Sequence, residues 1–200
     1  MSASRLREAN VNSFADHYVA TRHLVAEEIE RALASVDADQ LKRLVDAVLT
    51  ADKVFFVGVG RVLLSLQAIA KRFAHLGINC HCVGEITEPA ITGRDVLIVG
   101  SGSGTTLFPV AIARKAKEVG ATVVHIGSNP RSDLSHIVDF MVRVPVRTKL
   151  NLGDEIDSRQ PMTSLFEQSL LLLGDIVAMM IVDERKIDLK DLWRYHANLE

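Results

Sequence analysis

Apolar residues recur along this chain with two spacings. Between residues 11 and 49 the spacing is helical: Phe14, Tyr18, Val25, Ile29 and Leu33, then Leu41, Leu44, Val45 and Val48. The polar patch 35–39 divides this region into two helices, and Asp37 or Asp39 is placed to cap the second. A helical arm ahead of the first strand is the kind of element that packs on a partner subunit. From residue 53 onward, short apolar runs alternate with helical stretches. Strands are predicted over 53–58, 79–83, 94–100, 121–127 and 140–144. Helices are predicted over 63–76, closed by Gly77, and over 107–119, ending at Gly120, with a helical turn at 134–137. Near-continuous apolar strands joined by helices imply a parallel sheet covered on both faces, with right-handed crossovers. The expectation is one α/β domain over residues 1–200, a flavodoxin-like three-layer sandwich with a five-stranded parallel sheet. Its parts are N-terminal helices (1–50), the α/β core (51–145), and a loop plus C-terminal helices (146–200).

Composition narrows the class. Two hundred residues with 48% hydrophobic content suit one domain with a substantial core. A net charge of -2 leaves no basic footprint for nucleic acid. No leader-like segment opens the chain, and the most apolar stretch, 170–182, is broken by Gly174 and Asp175 and reads as too short for a bilayer. A cytoplasmic protein without nucleic-acid or membrane partners is expected. Cys80 and Cys82 flank His81 in one predicted strand; alternate residues share a face, and the triplet alone cannot build a structural zinc site. Both cysteines read as reduced core residues.

The chemistry concentrates where strands end. Three strands run into similar loops: Gly58-Val-Gly60, Gly100-Ser-Gly-Ser-Gly104 and Gly127-Ser-Asn129. In an open parallel sheet, ligands bind beyond the carboxyl ends of the strands, so the three loops point to one shared site. The second is the most informative. Its glycines let amides turn toward a ligand, Ser101, Ser103, Thr105 and Thr106 add hydroxyls, and the next helix aims its N-terminus at the same spot. That combination cradles a phosphate. It is neither a P-loop, lacking the lysine, nor a dinucleotide fingerprint, whose glycine spacing differs. A plain turn is the competing reading.

Glu167 lies near the start of an otherwise apolar helix. Two readings stand. Ser164-Leu-Phe-Glu167 matches a capping box, which makes Glu167 structural. Pro161 suits a first helical position, which moves Glu167 into the second turn and leaves its carboxylate for acid–base work. The polar loop 145–160, rich in charges, has the length of a functional or mobile loop.

These motifs together resemble those of sugar isomerase (SIS) domains, and among them the 6-phospho-3-hexuloisomerase group. The pieces are Gly58-Val-Gly-Arg61, Ala74-His-Leu-Gly77, Val83-Gly-Glu85 with Pro89-Ala-Ile91, and Gly100-Ser-Gly-Ser-Gly-Thr-Thr106. Arg147-Thr-Lys149, Gln160-Pro-Met-Thr-Ser-Leu-Phe-Glu-Gln168 and His196-Ala-Asn-Leu-Glu200 follow. The resemblance implies an enzyme interconverting 3-hexulose 6-phosphate and fructose 6-phosphate, in the ribulose monophosphate route of formaldehyde fixation. It implies a tetramer with sites near subunit boundaries, and no metal or organic cofactor. It places Glu167 as the proton-transfer base and has Ser101, Ser103 and Thr106, beside Thr105 and helped by Ser128, hold the phosphate. Gly58 and Gly60 would let backbone approach the sugar, with Arg61 at its edge. His196 would reach a neighbouring subunit's site, or else be a frayed terminus or an assembly contact; His75 is a site residue or a buried histidine. Two positions depart from the group's pattern: Val62-Leu63 stand where Ser-Gly is usual, and Thr105 where Glu is common. The missing hydroxyl leaves two alternatives open, a non-catalytic phosphosugar sensor and an isomerase of another sugar phosphate.

Overall fold

A computed structural model describes residues 13–199. Val11, the expected start of the first helix, and Glu200 lie outside the described residues. Helices α1 (Phe14–Ala34) and α2 (Ala38–Thr50) come first, followed by β1 (Val54–Val57), α3 (Gly60–His75), β2 (Cys80–Cys82) and β3 (Val96–Gly100). Next are α4 (Leu107–Val119), β4 (Thr122–Gly127), a 3-10 turn (Asp133–His136) and β5 (Phe140–Arg143). Helix α5 (Ser164–Arg185) and a 3-10 segment (Leu189–Tyr195) end the chain. The five strands form one sheet in the order β2-β1-β3-β4-β5, every neighbouring pair parallel. The expected α/β sandwich is what forms, with the arm ahead of it.

Alternate strand residues feed two separate cores. Val54, Phe56, Ile98, Val124, Ile126 and Val142 face the layer of α2, α3 and α5. Phe55, Val57, Leu97, Val99 and Val123 face α4, where Val110, Ala113 and Ala116 meet them with Leu134. The layers are unequal: several helices cover one face and chiefly one helix the other. Cys80 and Cys82 both belong to the first core as free thiols, and burial pushes them up to about 12 and about 11.

Caps explain most helix ends. The Asp37 carboxylate accepts from the Gln40 N–H at 2.9 Å and starts α2. Gly120, at φ 90°, stops α4. Helix α5 has 22 residues, so by length it could cross a bilayer, and the expectation that this stretch is too short is corrected. Leu170, Leu173, Val177 and Ile181 are nevertheless buried in the first core. Gly174, which seemed to interrupt the helix, is its closest approach to α3: a Cβ there would come within 2.2 Å of Ile69.

The 145–160 loop is tied down rather than loose. Val146 and Ile156 form a parallel bridge. The Glu155 carboxylate accepts from the Ser128 hydroxyl (2.9 Å), the Thr148 N–H and hydroxyl (3.1 and 2.8 Å) and the Leu152 N–H (2.9 Å). At the loop's far end Glu28, from α1 and almost fully buried, accepts from the Ser158 hydroxyl (2.6 Å), the Arg159 N–H (2.8 Å) and the Gln160 side chain (3.0 Å). Burial pushes the Glu28 carboxyl up, but these three bonds and the charge of Arg31 outweigh it and hold the group below its usual value. Replacing Glu28 with Ala leaves those donors without an acceptor. Glu28→Ala is expected to lower the unfolding free energy by about 2 kcal/mol and Tm by roughly 4–8 °C. Glu28→Gln, which keeps one acceptor, should lose about half as much. Urea and thermal unfolding of the three proteins check this; an Ala variant as stable as the parent refutes it.

Candidate active site

The ends of β1, β3 and β4 meet at one edge of the sheet, because parallel strands all finish on the same side. Helix α3 begins immediately after β1. Gly60 adopts φ 58° in open space, a left-handed turn that suits glycine and swings the chain into the helix. Gly58 is closely packed. A Cβ on it would lie 2.9 Å from Leu66 and 3.3 Å from Val62, and one on Gly100 would meet the same two side chains. Both glycines clear room for α3 against the strand ends, a packing role for Gly58 in addition to the expected sugar approach. Val62 fills this space, which accounts physically for an apolar residue there.

The loop from Ser101 to Thr106 folds back on itself. Ser101 and Ser103 are buried; Thr105 is exposed. The Ser101 hydroxyl lies 3.2 Å from that of Thr106 and accepts from the Gly104 N–H at 3.1 Å. The Ser103 hydroxyl lies 3.1 Å from that of Thr105. Gly104 takes φ 66° and passes so close to Ser132 that a Cβ would lie 2.2 Å from its hydroxyl oxygen. Thr106 caps α4 with no side-chain bond, so the first amides of that helix face outward uncapped. The loop thus carries four hydroxyls in two pairs immediately ahead of a helix N-terminus, an arrangement suited to an anion.

Helix α5 reaches this loop through Phe166, and Glu167 is the next residue on that helix. Phe166, its neighbour on α5, lies about 3.6 Å from where a Gly102 Cβ would be, with Thr148 at 3.2 Å on the same side. The Glu167 side chain is almost fully buried. Its Oε2 accepts from Arg61 Nε and its Oε1 from the Thr163 hydroxyl at 2.8 Å. The capping box does not form and the helix does not start at Pro161. Helix α5 begins at Ser164 with Thr163 as the N-cap, and Pro161 sits in the preceding turn, accepting from the Ser164 N–H at 3.2 Å. Glu167 is thus the fourth residue of the helix, and its carboxylate accepts from side chains on two elements instead of closing a capping box. Each oxygen keeps a lone pair for a further proton or donor.

The remaining expected residues are scattered. Ser128 is fully buried and its hydroxyl donates to Glu155, so it supports the loop and does not face the cradle. His196 and His75 stack with ring centres 5.4 Å apart, at the far end of α3 from Arg61. That is fourteen residues, about 21 Å, along the helix. Within one chain, neither histidine joins Glu167. Four supporting residues escaped the sequence reading. Thr163 reaches Glu167, and the Ser65 hydroxyl donates to the Glu167 carbonyl at 2.9 Å. Thr148 packs over Gly102, and His125 lies beneath the loop with Nε2 2.8 Å from the Ser101 carbonyl. Only Thr163, one helical turn before Glu167, had a local signal. Beside these lies an open cavity of about 670 Å³, lined by Arg147, Lys149, Asn151, Arg159 and Thr163 among others.

A family model described as SIS domain matches residues 48–172. A Mycobacterium gastri protein named 3-hexulose-6-phosphate isomerase is 38% identical over 88% of this chain and 88% of its own. A Bacillus subtilis protein of the same name is 35% identical over 90% and 99%. A crystal structure from Methanococcus jannaschii, described as inferring a molecular function of 3-hexulose-6-phosphate isomerase, superposes with a TM-score of 0.78 at 28% identity, covering 90% of this chain and 99% of that one.

Burial holds the His125 imidazole down to about 4, against the opposing pull of its bond to the Ser101 carbonyl. Unfolded, the ring takes a proton near pH 6.5; folded, it does so only near 4. Between those values the unfolded chain binds more protons, so stability present above about pH 6.5 drains away as the pH falls toward 4. The full effect is about 3 kcal/mol. Tm measured from pH 7.5 to 4.5 should fall, and the slope should flatten in His125→Gln. An unchanged slope in that variant would refute the assignment.

Proposed function

The chain belongs to the SIS domain family, and on that premise we propose that it isomerises 3-hexulose 6-phosphate to fructose 6-phosphate. The observation that carries this reading is the buried Glu167 carboxylate, held by Arg61 and Thr163 on the helix whose Phe166 packs against Gly102 of the cradle loop. Identity of 35–38% to proteins named for that reaction supports it.

The substrate's phosphate enters the cradle of Ser101, Ser103, Thr105 and Thr106 and the first amides of α4. The carbonyl then moves from C3 to C2. Glu167 takes the proton from C2, the C2–H electron pair forms the C2–C3 double bond of an enediol while the C3 carbonyl pair moves onto its oxygen, and the C2 hydroxyl proton passes to that oxygen; the C2 carbonyl then forms as the same carboxyl returns its proton to C3. One acid–base group serves both transfers on one face of the sugar. Arg61 uses one of its five N–H donors on Glu167, and the others stabilise oxygen charge as the enediol forms. Thr163 keeps the carboxylate aimed. Gly60 leaves the sugar's approach open. No step calls for a metal or an organic cofactor. The place of this reaction is the ribulose monophosphate route, in the cytoplasm.

The working unit in this reading is a homo-tetramer. Phe14, Tyr18 and Val19 stand exposed on α1, as do Leu172, Ile176, Met179 and Met180 along one side of α5. Such an assembly would bring His196 of one copy toward the site of another, where it would assist ring opening.

A coupled assay for fructose 6-phosphate, with the substrate made in place from formaldehyde and ribulose 5-phosphate, tests the reaction. Turnover is expected, reduced about a thousandfold in Glu167→Gln while phosphosugar binding persists. Binding without turnover in the parent protein would turn the assignment to a sensor, which Val62 in place of a hydroxyl residue favours. Turnover of another sugar phosphate alone would reassign the substrate. Sedimentation equilibrium should give the mass of four chains, and Phe14→Glu with Tyr18→Glu should yield smaller species. A monomer at micromolar concentration would rule the tetramer out.

A further inference from the structure

The phosphate loop presents more than hydroxyls. In a trans peptide the C=O of one residue and the N–H of the next point in opposite directions, and the described chain has no cis bonds. Whatever holds a loop carbonyl on one side therefore aims the following amide to the other. Here the end of β4 holds three carbonyls in succession. His125 Nε2 lies 2.8 Å from the Ser101 carbonyl. The Gly102 carbonyl accepts from the Ser128 and Asn129 amides at 2.9 and 3.2 Å. The Ser103 carbonyl accepts from the Asn129 side chain at 3.2 Å.

The amides of Gly102 and Ser103 are thereby turned away from β4, and neither donates to an acceptor among the described residues. The third amide, of Gly104, has a visible target, the Ser101 hydroxyl at 3.1 Å, which marks the direction in which this row points. Successive outward N–H groups form a concave nest for an anion.

Of the four bonds that hold these three carbonyls, that of His125 is the one made by a residue buried in the sheet itself. It sits on β4, facing the core under α4, and burial keeps the ring neutral at ordinary pH. Because a carbonyl only accepts, Nε2 carries the hydrogen. The fold makes room for the ring: a Cβ on Gly127 would lie 2.2 Å from Nε2, and one on Gly104 would lie 3.1 Å from Cε1. A leucine or valine would fill the same apolar position without a donor, and the Ser101–Gly102 peptide could then rotate.

We propose that His125 is a positioning residue for phosphate binding: by holding the Ser101 carbonyl it aims the Gly102 amide into the cradle and sets the cradle's affinity for the phosphate group. This rests on the phosphate-cradle reading above. It acts through the backbone and touches no substrate atom.

Calorimetric titration with inorganic phosphate, and separately with fructose 6-phosphate, tests it in the parent protein, His125→Leu and His125→Gln. Gln can place a side-chain N–H near the position of Nε2. His125→Leu is expected to weaken both ligands about tenfold or more, and His125→Gln to restore binding to within about threefold of the parent. Equal binding by the parent and a folded His125→Leu overturns the inference, as does a Gln variant as weak as the Leu variant. Parent protein that binds neither ligand instead refutes the cradle itself, and the inference with it. Should His125→Leu fail to fold, the parent labelled with ¹⁵N-histidine decides. Saturating phosphate should shift the His125 Nε2–H resonance, since a bond accepted from the Gly102 amide polarises the peptide that His125 holds. A resonance that does not move overturns the proposal.

Discussion

The functional edge of this protein depends on one recurrent interaction, a carboxylate from one element accepting hydrogen bonds from the loop amides and hydroxyls of another. Glu155 gathers β4's exit and the 146–152 segment onto one side chain. Glu28 does the same for 158–160 from the distant arm helix. On the opposite edge of the sheet, Asp95 accepts from the Thr92 amide and hydroxyl and pairs with Lys53, and Asp139 accepts from the Val123 amide and pairs with Lys117. Irregular segments have amides that no helix or strand satisfies, and leaving them buried without partners costs about 1–3 kcal/mol each. A carboxylate with several lone pairs satisfies two to four donors at once, so a few acids organise long stretches of loop.

This accounts for what the sequence did and did not reveal. The elements were legible because their information is local. Apolar residues repeat every second or every third to fourth position, and Asp37, Gly77 and Gly120 sit beside the ends they define. The strand-end loops were legible for the same reason, since Ser101 to Thr106 is contiguous. The supports were not legible. Glu155 in the sequence is one charge among several in a polar loop, and its partner Ser128 is 27 residues away. Glu28 is an acid on a helical arm that otherwise looks solvated, and its partners lie 130 to 132 residues distant. No periodicity marks such a pair. Ser128 was drawn to the wrong task for this reason: a serine at a strand end resembles a ligand donor until its acceptor is known. The packing role of Gly58 was hidden similarly, since a glycine needed for helix packing and one needed for ligand approach look the same in a string of letters.

The site shows how a buried acid is kept usable. Glu167 is on α5, whereas its charged partner Arg61 is on α3, and the two helices are pressed together where Gly174 admits Ile69. Their crossing sets the relative position of acid and cation more firmly than a loop would. Arg61 is largely exposed while the carboxylate is not. The guanidinium therefore covers the carboxylate from the solvent side, where a substrate would arrive. The pairing is asymmetric in mobility: Thr163 and the helix fix the acid, while a long exposed side chain supplies the charge.

The separation of tasks between elements has a further consequence. In the proposed reaction, phosphate binding would belong to β3, β4 and α4, on the thin side of the sheet, and proton transfer to α3 and α5, on the thick side. Phe166 against Gly102 is a contact between the two halves, so in that proposal packing there would help set the distance from phosphate to carboxylate. A change in the sugar's length or stereochemistry would fall between the halves, on Gly60, Arg61 and the wall that Val62 now fills. In that proposal the phosphate grip and the acid would persist while sugar preference shifts, and Val62 would bear on specificity more than on the reaction type. His196 fits the same division. It lies some 21 Å from Arg61 along α3, so the proposed role for it in turnover would require a second copy of the chain.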